Sequence, residues 1–213
     1  MLTHSHNVPA PSPEQHFAII LAAGFSTRMG VCKTTLPWYN DQTLLCYQTE
    51  QFSQAGIRPI VVLGAHNAHR QGDCAVGTDV VVKVGGDRSK THTILTGLPQ
   101  IPATASTITI SAIDQPRSAD VYKTLMQAYQ QKKALITAPC YGNKLGHPVV
   151  FSHHLRSEIE SISDESLGLR QVVQSAYAEI HRVLFSTPEV LIDINDEHTY
   201  EVCRSDRAVI PQS

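Results

Sequence analysis

The sequence lacks an excess of charge of either sign. Its 213 residues include 17 lysines and arginines against 19 aspartates and glutamates, which gives a formal net charge of −2. Proteins that bind nucleic acid normally carry a strongly basic surface, so we expect neither DNA nor RNA as a partner. Any positive potential for a phosphate group must then come from a few placed side chains.

Long apolar runs and paired cysteines are missing as well. No stretch approaches the roughly 18 continuous apolar residues of a membrane span. The proline-rich residues 1–16 lack the basic start and apolar segment of a secretory signal. The five cysteines include no C-x-x-C pair, which disfavours a zinc ribbon or a disulfide framework. We therefore expect a cytoplasmic protein with reduced thiols and no membrane partner.

The sequence does contain apolar, strand-like runs that alternate with helical patterns. Continuous apolar runs such as 17–21 and 59–63 are typical of strands covered on both faces. Further strands are predicted at 80–84, 107–113, 134–138, 146–151 and 190–194, and helices at 43–55, 91–98, 119–132, 155–161 and 169–178. This alternation predicts an α/β domain with a mostly parallel sheet in a three-layer αβα, Rossmann-like arrangement. We assign this domain to residues 17–205, between tails at 1–16 and 206–213.

Unusual residues follow the predicted strands at their carboxyl ends. Gly24, Gly64, the pair Gly85-Gly86 and Asp114 each come directly after an apolar run. Ligands of open α/β sheets bind beyond the carboxyl ends of the strands. The pattern therefore predicts one ligand site at this edge of the sheet.

The segment 21–37, LAAGFSTRMGVCKTTLP, is the most informative part of the chain. Ala22, Ala23 and Gly24 are small enough for a flat base to approach the backbone. Arg28 and Lys33 add two cations, which can stabilise the negative charge that develops on a reacting phosphate. The glycine spacing is neither that of a P-loop nor that of G-x-G-x-x-G, so a dehydrogenase is disfavoured.

This segment resembles the signature of the MobA-like nucleotidyltransferases, L-A-[AG]-G-x-S-x-R-M-G-x-x-K-x-L-L-P, and departs from it mainly at Thr34-Thr35. The segments VVLGAH (61–66), DQP (114–116) and GHPVVF (146–151) extend the resemblance. It implies a GT-A-type fold and an enzyme of the nucleotidyltransferase class. Within the superfamily the chain most resembles the CTP:molybdopterin cytidylyltransferases, because Ala22-Ala23 stands where guanylyl-transferring relatives carry a glycine pair. That likeness implies CTP as donor, a molybdopterin-like phosphorylated acceptor, and a molybdoenzyme or its chaperone as recipient of the product.

The resemblance also implies roles for individual residues. Arg28, Lys33 and Asp114 would be catalytic, with Asp114 as a ligand of Mg²⁺; the alternative is a capping turn at Asp114. The predicted nucleotide-binding residues are Leu21, Ala22, Ala23, Gly24, Gly85, Gly86, Asp87 and Thr93. The last four rest on a second likeness, to methylerythritol-phosphate cytidylyltransferases, which Thr93 fits only with a one-residue insertion.

The C-terminal part departs further from the family. The acceptor motif G-D-x-G-A-R appears here as SDESLGLR (163–170), and the closing motif D-I-D-T-P-E-D appears as DINDEH (193–198). We predict His147 and Asp164 on the acceptor side. Asp193 is either a second metal ligand or a strand-end cap, and Lys90 either contacts phosphate or is a solvated charge.

Two other functions remain open. The first is a cytidylyl- or uridylyltransferase acting on a sugar or polyol phosphate, such as a methylerythritol phosphate. The second is a non-catalytic nucleotide-binding module, whose hallmark would be the loss of Arg28, Lys33 or Asp114. All three residues are present.

Overall fold

The computed structural model describes residues 14–26, 29–85 and 89–208. Arg28, Gly86 and Asp87 therefore lie outside the described residues. The strands are β1 His16–Ala22, β2 Ile57–Gly64, β3 Asp79–Lys83, β4 Thr107–Ala112, β5 Ile136–Tyr141, β6 Lys144–Leu145, β7 Val149–Ser152 and β8 Ile180–Leu184. The α-helices are α1 Leu44–Gln54, α2 Lys90–Gly97, α3 Ala119–Lys132, α4 Arg156–Glu160, α5 Leu169–Ser175 and α6 Glu197–Ala208.

These strands form one mixed sheet in the order β3-β2-β1-β4-β7-β5-β6, and β8 also pairs with β5. The first four strands of that order are parallel, as is the β5–β8 pair, whereas β7 and β6 pair antiparallel with their neighbours. The predicted α/β class with a mostly parallel sheet is confirmed.

Alternating residues of β1 pack on opposite faces of the sheet. Ala18 and Ile20 belong to one buried cluster, which Leu45 of α1 and Leu125 of α3 complete. Ile19 belongs to the other, together with Ile94 of α2, Ile159 of α4 and Val172 of α5. Because helices cover both faces, the central strands are apolar throughout, and the domain has three layers.

One predicted strand is wrong, and one strand escaped prediction besides the two-residue β6. The segment Pro188–Leu191 is a short 3₁₀ helix, and its apolar residue Val190 is fully buried without entering the sheet. The missed strand is β8, which pairs only with β5 among the described strands and is at most partly buried. A half-covered strand keeps polar residues such as His181 and Arg182, so it lacks the continuous apolar run that marks a buried strand.

Regular structure extends slightly beyond the predicted domain limits. The first strand begins at His16, and the last helix ends at Ala208. No helix in the described part of the chain is long and apolar enough to cross a membrane.

Candidate active site

A cavity of about 210 Å³ opens at the carboxyl ends of β1 and β4. These two strands are neighbours in the sheet, so the segments that follow them converge at one edge. The cavity is lined by six residues that the sequence predicted to be functional: Leu21, Ala23, Gly24, Lys33, Thr93 and Asp114. It is also lined by Ser26, Met29, Lys90, Ala112, Ile113 and Asn195.

Lys33 and Asp114 are in direct contact in this cavity, although 81 positions separate them in the chain. The Lys33 Nζ donates to Asp114 Oδ2 at 2.8 Å and to Asn195 Oδ1 at 3.4 Å. The Lys33 side chain is 10 % exposed and the Asp114 side chain 20 % exposed. The ammonium is thus held by one carboxylate and one amide oxygen with little access to water.

Asn195 reaches this place through a main-chain contact. The Ile194 N–H donates to the Asp114 carbonyl at 2.8 Å, which fixes the segment before α6 beside the loop that follows β4. Sequence reasoning did not assign a role to Asn195. The available signal was its position in DINDEH, where it stands at the second aspartate of the closing family motif.

The loop after β1 folds back on itself through Ser26 and Gly30. Ser26 has a φ of +51°, which is uncommon outside glycine, and its Oγ accepts from the Lys33 N–H at 3.1 Å. Gly30 has a φ of +66°, where glycine carries no steric penalty. A Cβ at Gly24 would meet no atom within 4 Å, so this residue leaves open space in the cavity wall.

Asn67 anchors the same loop from the end of β2. Its side-chain oxygen accepts from the Gly64 N–H at 2.8 Å, and its amide donates to the Ala22 carbonyl at 2.9 Å and to Cys32 Sγ at 3.6 Å. Asn67 is 2 % exposed. Ala22 is thereby buried behind the cavity wall and does not line the cavity itself. The sequence analysis did not identify Asn67, because an asparagine after a strand has no distinctive spacing.

Thr93 faces the cavity from α2. Its hydroxyl donates to the Ser89 carbonyl at 2.9 Å and lies 3.4 Å from the Lys83 ammonium, which is itself buried. Gly85, with a φ of +99°, makes the turn that follows β3, and it does not line this cavity.

A second, larger cavity of about 620 Å³ adjoins the first and shares Leu21, Lys90 and Ala112 with it. The residues predicted for the acceptor side, His147 and Asp164, line this cavity, and so does Asp193. Arg170 is a second cation of this cavity besides Lys90. The apolar side chains of its walls are Ile94, Ile110, Leu145, Val149, Leu167, Leu169 and Val173. The second cavity thus combines two cations and two carboxylates with an apolar wall.

Three polar contacts fix the acidic residues of this second cavity. The Gln115 amide donates to Asp193 Oδ1 at 3.0 Å, and the Ser89 hydroxyl donates to Asp164 Oδ1 at 2.7 Å. Exclusion of water from the imidazole lowers the pKa of His147, while the Asp193 carboxylate acts in the opposite direction. At neutral pH this histidine is therefore uncharged and adds no cation to the cavity.

A family model for the MobA-like NTP transferase domain matches residues 18–183. The chain belongs to this family. It is accordingly a nucleotidyltransferase, and the matched region contains both Lys33 and Asp114. A comparison with curated proteins gives no match.

Solved structures with the same fold include other nucleotidyltransferases. Rv0371c from Mycobacterium tuberculosis H37Rv is 24% identical with a TM-score of 0.76, over 90% of this chain and 98% of that one. A nucleotidyl transferase from Methanothermobacter thermautotroptrophicus is 20% identical with a TM-score of 0.74, over 91% and 98% of the two chains. The 4-diphosphocytidyl-2C-methyl-D-erythritol synthase from Anaerococcus prevotii DSM 20548 is 13% identical with a TM-score of 0.68, over 92% and 96%.

Arg117 is a further residue of this MobA-like domain that the sequence did not reveal. It is 1 % exposed, and its guanidinium donates to four main-chain carbonyls, those of Pro116, His147, Val190 and Ile192. These contacts join the loop after β4 to the segment that carries Asp193 and Asn195. Arg117 thus positions both cavities without facing either one.

The described residues offer few protein ligands for a metal ion. Within them, no three His, Cys, Asp or Glu side chains come together as a metal site. Asp193 lines the second cavity and contacts Gln115, whereas Asn195 lies in the first cavity with Asp114. The Lys33 ammonium contacts one side-chain oxygen of Asp114 and one of Asn195.

Proposed function

We propose that this nucleotidyltransferase transfers CMP from CTP to a phosphorylated, molybdopterin-like acceptor and releases pyrophosphate. The contact between Lys33 and Asp114 inside the cavity carries the proposal. A buried cation and a partly buried carboxylate meet at the sheet edge where α/β proteins bind ligands. The second cavity, which adjoins the first, provides space for the acceptor.

The charges of the first cavity suit a nucleoside triphosphate. In this proposal Lys33 contacts the triphosphate, where it stabilises the negative charge that moves to the pyrophosphate during transfer. Arg28, five residues earlier in the same loop, would supply the second cation. Positioning and charge neutralisation are the main contributions that a protein makes to this kind of reaction.

The base would lie against the small residues that follow β1. Ala23 and Gly24 line the cavity, and Gly24 leaves room that a side chain would fill. Thr93 adds a hydroxyl on the α2 side, and Gly85, Gly86 and Asp87 complete the predicted base and ribose contacts. The Ala22-Ala23 pair in place of two glycines supports CTP over GTP.

Asp114 and Asn195 fit a hard divalent cation, and we propose Mg²⁺. Such ions prefer oxygen ligands, and a carboxylate and an amide oxygen already face one cation, the Lys33 ammonium. The geometry favours Asn195 over Asp193 as the second oxygen ligand. A bound metal ion would offset the charge of the phosphate groups.

The acceptor phosphate would enter from the second cavity, where Lys90 and Arg170 are the available cations. One of its oxygens attacks the α-phosphorus of CTP, and the bond to the departing pyrophosphate breaks. Because the attacking phosphate is already ionised, no general base is needed. His147 and Asp164 would orient the acceptor, and the product would pass to a molybdoenzyme or its chaperone.

Pyrophosphate release across a panel of nucleotides and acceptors tests this proposal. We expect CTP with a molybdopterin-type phosphate to be the productive pair, and Lys33→Ala and Asp114→Asn to lower kcat on the order of 10²–10³-fold. Lys123→Ala, at an exposed position of α3, serves as the matched control and should leave turnover unchanged. A preference for a sugar or polyol phosphate would show that the acceptor is not molybdopterin-like. Near-normal turnover by Lys33→Ala would overturn the assigned site.

A further inference from the structure

The Lys33 ammonium lies where a metal ion would have to bind. It contacts Asp114 Oδ2 at 2.8 Å and Asn195 Oδ1 at 3.4 Å, two oxygens from residues that line the first cavity. Lys33 is 8 % exposed, so solvent screens its charge only weakly. Lys33 thus already places one cation on the oxygens proposed for the metal.

A divalent ion at the same carboxylate oxygen would compete with this ammonium. Mg²⁺ binds oxygen at about 2.0–2.1 Å and demands near-ideal geometry, and the hydrogen bond from Lys33 Nζ already uses one acceptor position of Asp114 Oδ2. Two cations on one partly buried carboxylate also repel each other strongly, since the low local polarisability reduces screening. A metal ion at Asp114 therefore binds more tightly when Lys33 moves away from this carboxylate.

The neutral side chain of Asn195 makes this conflict sharper. The described lining of the first cavity has one carboxylate, from Asp114, and two ammonium groups, from Lys33 and Lys90, so its formal charge is already +1 before any metal binds. Asp193 lines the neighbouring cavity and is held by Gln115. Within the described residues, no other carboxylate lines the first cavity to compensate a divalent ion.

We propose that Lys33 occupies the metal position in the nucleotide-free enzyme and that the triphosphate draws it away. A triphosphate provides a stronger partner for the ammonium and also adds its own oxygens as metal ligands. Metal and nucleotide then bind cooperatively, and each raises the affinity for the other by the same factor. This inference rests on the proposed function, since it assumes that the metal and the triphosphate share the first cavity.

Binding of Mn²⁺ alone, followed by the electron paramagnetic resonance signal of the free ion, tests the exchange without catalysis. Lys33→Met keeps the length of the side chain and removes its charge, and it should bind Mn²⁺ on the order of tenfold more tightly than the wild type. Lys33→Gln is a second variant with the same expectation, should the methionine variant fail to fold. Equal Mn²⁺ affinity of the wild type and both variants would overturn the inference.

Lys90→Met provides the matched control. It removes the same charge from the wall of the same cavity, but Lys90 has no contact with Asp114 among the hydrogen bonds of the described residues. We expect its Mn²⁺ affinity to stay close to that of the wild type. A gain as large as that of Lys33→Met would attribute the effect to overall charge and would contradict a specific exchange at Asp114.

The Asp114→Asn variant separates this inference from the proposed function. Lys33→Met should no longer raise Mn²⁺ affinity when Asp114→Asn is also present, because the two residues act through one contact. If Asp114→Asn leaves Mn²⁺ binding unchanged both with and without CTP, the metal site of the proposed function is wrong. If Asp114→Asn weakens binding but Lys33→Met has no effect, only the exchange is wrong.

Discussion

A single buried arginine fixes the geometry of both cavities. Arg117 is almost fully enclosed, and its partners are four main-chain carbonyls from three separate segments. A buried charge is tolerated when all its donors are satisfied, and a buried acceptor that loses its donor is costly. The loop of Asp114 and the segment of Asn195 therefore depend on Arg117, which joins them through main-chain carbonyls.

Replacement of Arg117 by methionine should destabilise the fold strongly. Four carbonyls would lose a donor in a site with little access to water, so we expect the free energy of unfolding to fall by at least about 3 kcal/mol. Urea denaturation measures this change. Arg58→Met removes an arginine from an exposed ion pair with Asp79 and should cost less than about 1 kcal/mol. Similar losses in the two variants would contradict the structural role of Arg117.

At the residue scale, the sequence predicts those site residues that local chemistry makes unusual. Lys33 and Gly24 lie in a loop with a recognisable motif, and Asp114 interrupts an apolar run at a strand end. Three further residues act through contacts between distant parts of the chain, the longest of which span 45 positions for Asn67, 75 for Arg117 and 162 for Asn195. A short stretch of sequence cannot indicate such contacts, because the fold determines which distant groups these side chains meet.

At the scale of elements, predictability follows burial. Strands β1 and β2 are covered on both faces, so their apolar runs identified them directly. The apolar run at 190–194 is buried too, yet it packs against one face of the sheet as a 3₁₀ helix and a short extended segment. An apolar run in the sequence therefore indicates that a segment is buried. It does not indicate whether that segment pairs with a neighbouring strand.

The link between β2 and the loop after β1 gives a prediction at this scale. In Asn67→Asp a carboxylate oxygen replaces the amide that donates to the Ala22 carbonyl, so two acceptors would face each other at 2.9 Å. We expect the free energy of unfolding to fall by about 1–3 kcal/mol and the affinity for nucleotide to fall with it, because the cavity wall loses its anchor. Thermal unfolding and nucleotide titration measure the two effects.

Asn143→Asp is the control for that substitution. It makes the same chemical change in the exposed turn between β5 and β6 and should alter neither stability nor nucleotide affinity. If Asn67→Asp weakens nucleotide binding no more than Asn143→Asp does, the loop after β1 does not depend on β2 for its position.

At the scale of the whole molecule, the sheet has one end at which β1 begins and an opposite end at which the first cavity opens. Strand β1 runs from His16 to Ala22, so it connects the two ends directly. At the first end the His16 ring is buried, and its Nδ1 lies 2.9 Å from the Thr107 hydroxyl. Burial lowers the pKa of His16, with Lys133 acting in the same direction and Glu14 in the opposite one. The Tyr129 ring packs edge-on against the imidazole.

The lowered pKa of His16 predicts an acid-sensitive fold. An unfolded histidine has a pKa near 6.5, so below that pH the unfolded chain binds a proton that the folded protein resists. Stability from His16 is therefore complete above pH 6.5 and is lost as the pH falls through the folded pKa.

Between pH 7 and pH 5, the free energy of unfolding should fall less for His16→Gln than for the wild type. Glu14→Gln should enlarge that loss, since the carboxylate that favours the charged imidazole is gone. Urea denaturation at both pH values measures the slopes, and equal slopes in the wild type and His16→Gln would exclude this residue as the source of the acid sensitivity.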